Sequence, residues 1–173
     1  MEFKRKILGK TDYRTRLKLV KSRDIRLVVR KALKNLSVQL IEYHEKGDKV
    51  LTSASTQELQ KKFNLNIPKS NLPSAYLLGI LIGKKGIKKG IKKAILDMGL
   101  YRNIRGCKIY GVVKGALDSG LNIPHNKEAL PSDDRVLGKH IINYTKQKTK
   151  GYKINVSELS KHLNDIKEKI LKS

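Results

Sequence analysis

The chain has 173 residues, of which 39 are Lys or Arg and 15 are Asp or Glu, so its formal net charge is +24. This length suits one domain with short extensions and excludes two ordinary domains. The charge is well above the roughly 8 that a small domain needs for solubility. We therefore expect a polyanionic partner, with nucleic acid favoured over an anionic membrane.

Cysteine content and hydropathy limit the cellular compartments in which the protein is expected. The single cysteine, Cys107, excludes an internal disulfide framework. The N-terminus lacks the apolar run of about 7 to 15 residues that a signal peptide needs. The longest nearly apolar run, AYLLGILIG, is about half as long as a membrane span. These features predict a soluble, cytoplasmic protein with no membrane association.

The first 31 residues are strongly basic, and acidic residues are few among them. The sequence predicts an arm that is disordered until its partner binds, because such a segment has too little apolar surface to fold alone.

Three short runs rich in β-branched residues follow the arm: RLVVRKAL, SVQLIEYH and KVLTSAST. Polar turns such as Gly47-Asp48 separate them, so they predict an antiparallel meander. In the first run Leu27 and Val29 share one face of the sheet. Ser55 and Glu58 then fit a capping box, which predicts a helix over TQELQKKF.

The stretch LIGKKGIKKGIKKA (81–94) allows three interpretations. A Walker loop is excluded, because the spacing from Gly79 to Gly83 is too short and Lys84 is not followed by Ser or Thr. A KH-type clamp on single-stranded RNA fits the local pattern Gly83-Lys84-Lys85-Gly86. A single helix, capped by Ser74 and ended by Gly99, fits the periodicity of the whole region, and we favour it.

The predicted helix has three distinct faces. Its apolar stripe consists of Tyr76, Ile80, Ile87, Ile91, Ala94 and Met98. Its glycine stripe, suited to close approach to a sheet or to RNA backbone, consists of Gly79, Gly83, Gly86 and Gly90. The opposite face, which is either solvated or a secondary RNA-binding face, carries Lys85, Lys88, Lys89 and Lys92.

The remaining chain predicts one more strand and three helices. CKIYGVV is interpreted as a fourth strand, and KGALDS as a helix stopped by Gly120. Asp133 and Asp134 favour the start of a helix over DDRVLGKHIINY. A basic linker, TKQKTKG, precedes a last amphipathic helix whose apolar positions are Leu159, Leu163, Ile166 and Ile170.

These elements predict an α/β fold, a small sandwich of a mainly antiparallel four-stranded sheet with packed helices. We divide the chain into a basic arm (1–25), an α/β core domain (26–124) and a helical extension (125–173).

Catalytic candidates are sparse. The four histidines, His44, His125, His140 and His162, are scattered without metal-ligand spacing. The interpretation of CKIYGVV as a strand buries the Cys107 thiol. Asp97, Asp118, Asp133 and Asp134 leave open a metal-dependent nuclease. We expect no enzyme activity, no metal and no cofactor.

Four blocks of sequence resemble one family. They are DYRTRLKLVKSRDIRLVVRK, SNLPSAYLLGILIGKKG with AILDMGL, VKGALDSGLNIPHN, and LPSDDRVLGKHI. In this order and spacing, over about residues 12 to 142, they resemble the archaeal branch of the L-eighteen family of large-subunit ribosomal proteins. The resemblance implies a protein that binds 5S rRNA and helps attach it at the central protuberance. Contacts with 23S rRNA and with neighbouring proteins, including the other 5S rRNA-binding protein, are also implied.

The resemblance places the RNA contacts in the arm and the first strand. The residues are Tyr13, Arg14, Arg16, Lys18, Lys21, Ser22, Arg23, Arg26, Arg30 and Lys31, and the basic positions Lys10 and Lys34 extend the set. Cations would neutralise phosphates, Tyr13 would stack on a base and Ser22 would reach a backbone oxygen. The family usually has Ser-Asn after Arg-Lys, whereas this chain has Ala32-Leu33, so we expect Lys34 or Asn35 to supply the polar contacts there.

Two further alternatives stay open beside the nuclease. One is a KH-like regulator that binds short single strands through Gly83-Lys84-Lys85-Gly86. The other is a membrane-surface protein that uses the lysine-faced helix.

Overall fold

The computed structural model describes residues 3–65, 67–147 and 159–172. Its strands are β1 (Arg26–Lys31), β2 (Leu36–Glu42), β3 (Lys49–Ser55) and β4 (Ile95–Asp97). Its helices are α1 (Lys4–Ile7), α2 (Tyr13–Lys21), α3 (Thr56–Phe63), α4 (Leu72–Lys88), α5 (Lys108–Asp118), α6 (Asp133–Val136), α7 (Lys139–Gln147) and α8 (Leu159–Lys172), with a 3-10 turn at Lys127–Ala129. The predicted basic linker lies outside the described residues from Lys148 onward.

The four strands form one sheet in the order β3-β2-β1-β4. β1 pairs antiparallel with β2, β2 pairs antiparallel with β3, and β4 lies parallel to β1. The predicted α/β class and the antiparallel meander are therefore confirmed. The side chains of Leu27 and Val29 are fully buried in the core, while Arg26, Val28 and Arg30 alternate onto the other face of the sheet, which we call the outer face.

The position of the fourth strand differs from the prediction. CKIYGVV forms the start of α5, with Cys107 at its N-cap, and the fourth strand is β4 instead. The buried residues Ile109, Val112, Val113 and Ala116 lie at helical spacing. A short apolar run fits both periods, and here its packing against α4 decides in favour of a helix. Gly120, with φ of +100°, ends α5 as predicted.

Helix α4 runs without interruption through Gly83 and Gly86. The continuous-helix interpretation is thus confirmed there, and a KH-type loop at Gly83-Lys84-Lys85-Gly86 is excluded. The Asn71 side chain, rather than Ser74, caps the helix by accepting a hydrogen bond from the Ser74 N–H at 2.8 Å.

The predicted end of α4 at Gly99 is wrong, because the helix stops at Lys88. Gly90 has φ of +77°, and its N–H donates to the Ile87 carbonyl at 2.8 Å while the Ile91 N–H donates to the Gly86 carbonyl at 3.0 Å. This pair of hydrogen bonds is a Schellman motif. Ile91 and Ala94 are nevertheless buried, now from the segment that leads to β4. Ile87, predicted to lie in the core, is 42% exposed.

The glycine stripe of α4 permits close contact with α5. A Cβ atom on Gly79 would lie 2.1 Å from the Val112 carbonyl oxygen, and one on Gly115 would lie 2.1 Å from the Tyr76 carbonyl oxygen. Gly83 also faces α5, and Gly86 faces Leu40 of β2. The prediction of close approach is correct, but the main partner is a helix, and only Gly86 meets the sheet.

The described residues of the C-terminal part form three helices, whereas the sequence predicts two. Gly138, with φ of +74°, separates α6 from α7 within the predicted single helix. Leu159, Leu163, Ile166 and Ile170 of α8 are buried in the same hydrophobic core as the sheet, as their spacing predicts. α8 packs on α4, where the Lys84 ammonium donates to the Leu171 carbonyl. Among the described helices, none has the length and apolar character needed to cross a membrane.

We expect Gly115→Ala to lower the free energy of unfolding by about 3 kcal/mol or more, because backbone atoms meet the added methyl group. In an unobstructed helix the same change would stabilise by about 1 kcal/mol. Gly90→Ala, which meets no atom within 4 Å but has positive φ, should cost about 1 to 2 kcal/mol. Urea denaturation of both variants measures the difference, and equal losses would contradict the close helix contact.

Candidate nucleic-acid interface

The basic arm lies against the outer face of the sheet. A cleft of about 360 Å³ separates the two. Arm residues Arg5, Lys10 and Arg16 line one wall, and Arg26 and Arg30 of β1 line the other. Most of the positively charged side chains of the cleft therefore come from positions predicted to bind RNA.

Arg26 is the buried centre of this arrangement, with only 3% of its surface exposed. Its Nη1 donates to Asp97 Oδ2 at 3.1 Å. Its Nη2 forms an ion pair with Asp48 Oδ2 at 2.7 Å, without the alignment of a hydrogen bond. Two carboxylates thus compensate one buried guanidinium, as a buried charge requires.

The two carboxylates also hold exposed arginines. Asp48 Oδ2 accepts a hydrogen bond from Arg16 Nη2 of α2 at 3.0 Å, which joins the arm to the turn before β3. Asp97 Oδ1 lies 3.4 Å from Arg30 Nη2, and Arg30 remains 45% exposed at its side chain. The structure therefore brings the predicted residues Arg16, Arg26 and Arg30 into one ion-pair network.

The arm is helical, which differs from the expected disorder. The Asp12 side chain caps α2 by accepting hydrogen bonds from the N–H groups of Arg14 at 2.9 Å and Thr15 at 3.3 Å. The hydrogen bond from the Thr15 hydroxyl, at 2.6 Å, is the main cause that lowers the pKa of the Asp12 carboxyl. This cap and the Arg16–Asp48 ion pair hold the arm in place, and neither is visible in the composition of the segment.

The remaining predicted arm residues lie near the network but mostly face solvent. Tyr13 is half-buried and stacks on Phe3 at 4.8 Å between ring centroids. The Ser22 hydroxyl donates to the Leu19 carbonyl at 2.8 Å. The exposed predicted residues are Lys10, Arg14, Lys18, Lys21, Ser22, Arg23, Lys31 and Lys34. Beside the tip of β1, Lys31 Nζ lies 4.6 Å above the Tyr101 ring.

Sequence reasoning missed three residues of the interface. The sequence indicates Asp48 only as a turn residue and Asp97 as a nuclease candidate, and it gives no signal for Tyr101. The Tyr101 hydroxyl donates to the Lys31 carbonyl at 2.6 Å and so positions the end of β1. No local pattern identifies these residues, because each meets its partner only in the folded sheet.

The four lysines predicted to share one helix face divide into two groups, and α4 itself contains Lys85 and Lys88. Lys85 forms an ion pair with Glu58 at 2.7 Å and donates to the Ser53 carbonyl at 3.0 Å, and Lys89 donates to the Leu51 carbonyl. Burial raises the pKa of Glu58, but hydrogen bonds from Lys62 and Lys85 outweigh it, so that the pKa is lowered overall. Lys88 and Lys92 are exposed.

The catalytic candidates do not assemble into a site. Asp118 accepts a hydrogen bond from the Tyr76 hydroxyl at 2.6 Å, Asp133 pairs with Lys114, and Asp97 binds arginines. Within the described residues, no three His, Cys, Asp or Glu side chains lie together as metal ligands would. Each of the three aspartates is explained by a structural partner.

The fold and the interface define a class, that of small basic α/β proteins whose cations gather on one face of a sheet and on the arm that covers it. The sequence model of the family described as "Ribosomal large subunit proteins 60S L5, and 50S L18" matches residues 1–92 and 85–126. The chain belongs to this family. It is a ribosomal protein of the large subunit, an RNA-binding component of a ribonucleoprotein that takes part in translation.

We expect Asp97→Asn to lower the free energy of unfolding by about 3 kcal/mol, because it leaves the buried Arg26 guanidinium undercompensated. Asp24→Asn is the matched control, since Asp24 pairs with Lys93 at 3.1 Å on the surface and should cost less than about 1 kcal/mol. Chemical denaturation of both variants provides the measurement. A loss at Asp97 no larger than that at Asp24 would show that Arg26 does not depend on its carboxylates.

Proposed function

We propose that this ribosomal protein binds 5S rRNA and helps attach it to 23S rRNA at the central protuberance of the large subunit, in the cytoplasm. The family of the chain supports a role on the large subunit. The observation that carries the finer proposal is the convergence of Arg16, Arg26 and Arg30 at the cleft between the arm and the outer face. Folded RNA presents phosphates at fixed distances, and an anchored arm can match them.

Helix α2 supplies the outward-facing part of this surface. Arg14, Lys18 and Lys21 are exposed at positions i, i+4 and i+7, and therefore lie on one face of the helix along about 10 Å. Leu17, 69% exposed, borders this row. Such a row suits the phosphate backbone of RNA, and the leucine suits the apolar part of a ribose or base. Ser22 and Arg23 extend the contact beyond the helix end.

Arg26 has a different role from the exposed cations in this proposal. Its guanidinium is buried between two carboxylates, so it positions Asp48 and Asp97 rather than a phosphate. Those carboxylates in turn fix Arg16 and Arg30. We assign the direct contacts to Arg16 and Arg30, together with the exposed lysines of the arm.

The partners of the remaining surface are also proposals. Lys88 and Lys92 are exposed and suit a secondary contact with rRNA. Contacts with neighbouring ribosomal proteins, including the other 5S rRNA-binding protein, follow from a position at the central protuberance. The proposed role requires no catalysis and no cofactor.

The helical geometry of α4 argues against the two alternative functions, a KH-like regulator and a membrane-surface protein. A KH-like regulator needs a loop at Gly83-Lys84-Lys85-Gly86, where the structure has a helix. A membrane-surface helix needs a free apolar face, but Tyr76, Leu77 and Ile80 are buried in the core.

We expect the double variant R14Q/K18Q to weaken 5S rRNA binding and to reduce the slope of log affinity against log salt by about 1.4 to 1.8, because two phosphate contacts are lost. The control K169Q/K172Q removes the same charge from exposed positions on α8 and should leave the slope almost unchanged. Binding titrations at several salt concentrations measure both. Equal losses in the two variants would mean that a diffuse field, rather than the arm, binds the RNA.

A further inference from the structure

Strand β3 lies at one edge of the sheet, and among the described residues its pairing partner is β2. A cleft of about 470 Å³ lies beside it, lined by residues 50–53 of β3 and by Lys85, Lys88 and Lys89 at the end of α4. An unpaired edge of this kind is a ready template for pairing with another strand.

Two lysines, one in the last turn of α4 and one at its C-cap, bind carbonyls of this edge. Lys85 Nζ donates to the Ser53 carbonyl at 3.0 Å, and Lys89 Nζ donates to the Leu51 carbonyl. Four residues along a helix span about 6 Å, and two residues along a strand span about 6.8 Å. The spacing of the two lysines therefore matches the spacing of two successive outward carbonyls. Both ammonium groups donate hydrogen bonds within the chain.

We propose that Lys85 and Lys89 close the outer edge of β3 against pairing with a second copy of this chain. A pairing strand needs the Ser53 and Leu51 carbonyls as acceptors, and both already accept hydrogen bonds from the lysines. Its approach would also remove two ammonium groups from their acceptors, which is costly at a dry interface. The lysines and the irregularity in β3 pairing beside Leu51 act together, since bulges and lysines are both means of protecting edges.

A second copy is the partner that this edge fits once the lysines are removed. β3 has the sequence KVLTSAS, which contains no acidic residue and no proline, and Val50 is 48% exposed. Two such strands would pair through their backbones without facing carboxylates, and β-branched side chains favour the paired form. The lysines thus have a protective role at the edge that is separate from RNA binding.

The test compares two variants of equal charge and equal added methionine. K85M/K89M removes both edge donors but keeps the aliphatic stems, whereas K61M/K92M removes two exposed lysines elsewhere. The mass of each is measured by light scattering over a range of concentrations in about 0.15 M salt, where charges are screened beyond about 8 Å. Circular dichroism establishes whether both variants remain folded. If K85M/K89M does not fold, its place in the mass measurement is taken by the single variant K89M, which retains the Lys85–Glu58 ion pair.

We expect the measured mass of K85M/K89M to rise with concentration from 19.6 kDa to roughly twice that value. The mass of K61M/K92M should stay at the lower value. Adding Ser53→Pro should return K85M/K89M to the monomer, because the Ser53 N–H faces outward and proline cannot donate to a new strand. A K85M/K89M variant that stays monomeric, whatever its affinity for RNA, would overturn the proposal. So would association of both variants alike, or association that persists with Ser53→Pro.

Discussion

The buried ion pairs of Arg26 connect parts of the molecule that are distant in sequence. Through Asp48 they reach the turn before β3 and Arg16 of the arm, and through Asp97 they reach the end of β4 and Arg30. A buried ion-pair network of this kind adds little net stability, because desolvation offsets most of the attraction. Its effect is on position, since it fixes the arm on the outer face and so orients the exposed row on α2.

The other face of the sheet depends on packing rather than on charge. Helices α4 and α5 approach so closely that their glycines contact the backbone of the opposite helix, and α8 adds its apolar residues to the same core. This layer leaves the outer face for the arm. It also places α4 beside β3, where Lys85 and Lys89 bind the sheet edge. The net charge of +24 therefore includes cations with different roles, some facing solvent and some holding the fold.

Local patterns predicted the parts of the fold that have local causes. The alternation around Leu27 and Val29 predicted the meander. The capping box of Ser55 and Glu58 predicted α3, and in the structure the Glu58 N–H donates to Ser55 Oγ at 3.3 Å. The sequence does not predict the end of α4, because Ile91 and Ala94 continue the helical spacing of apolar residues beyond Gly90. They are buried because the segment that leads to β4 packs on the core. CKIYGVV was missed because a short apolar run does not determine its own period.

The basic residues of the candidate site could be predicted from the sequence, but its acidic residues could not. Composition and resemblance together pointed to the arm and β1 as the basic surface. The partners of those cations lie far along the chain, Asp48 being 32 residues from Arg16 and Asp97 being 71 from Arg26. Such pairs form only when the sheet brings them together, so a single sequence gives no signal for them.

The most direct measurement is a titration of the protein with folded 5S rRNA, a folded RNA of similar size and a short single strand, each at several salt concentrations. Non-specific binding falls steeply as salt rises. We predict that a preference for folded 5S rRNA persists at about 0.2 M salt, because an arm anchored on the sheet matches a fixed arrangement of phosphates. Equal binding of the two folded RNAs, or a preference for the short strand, would contradict it.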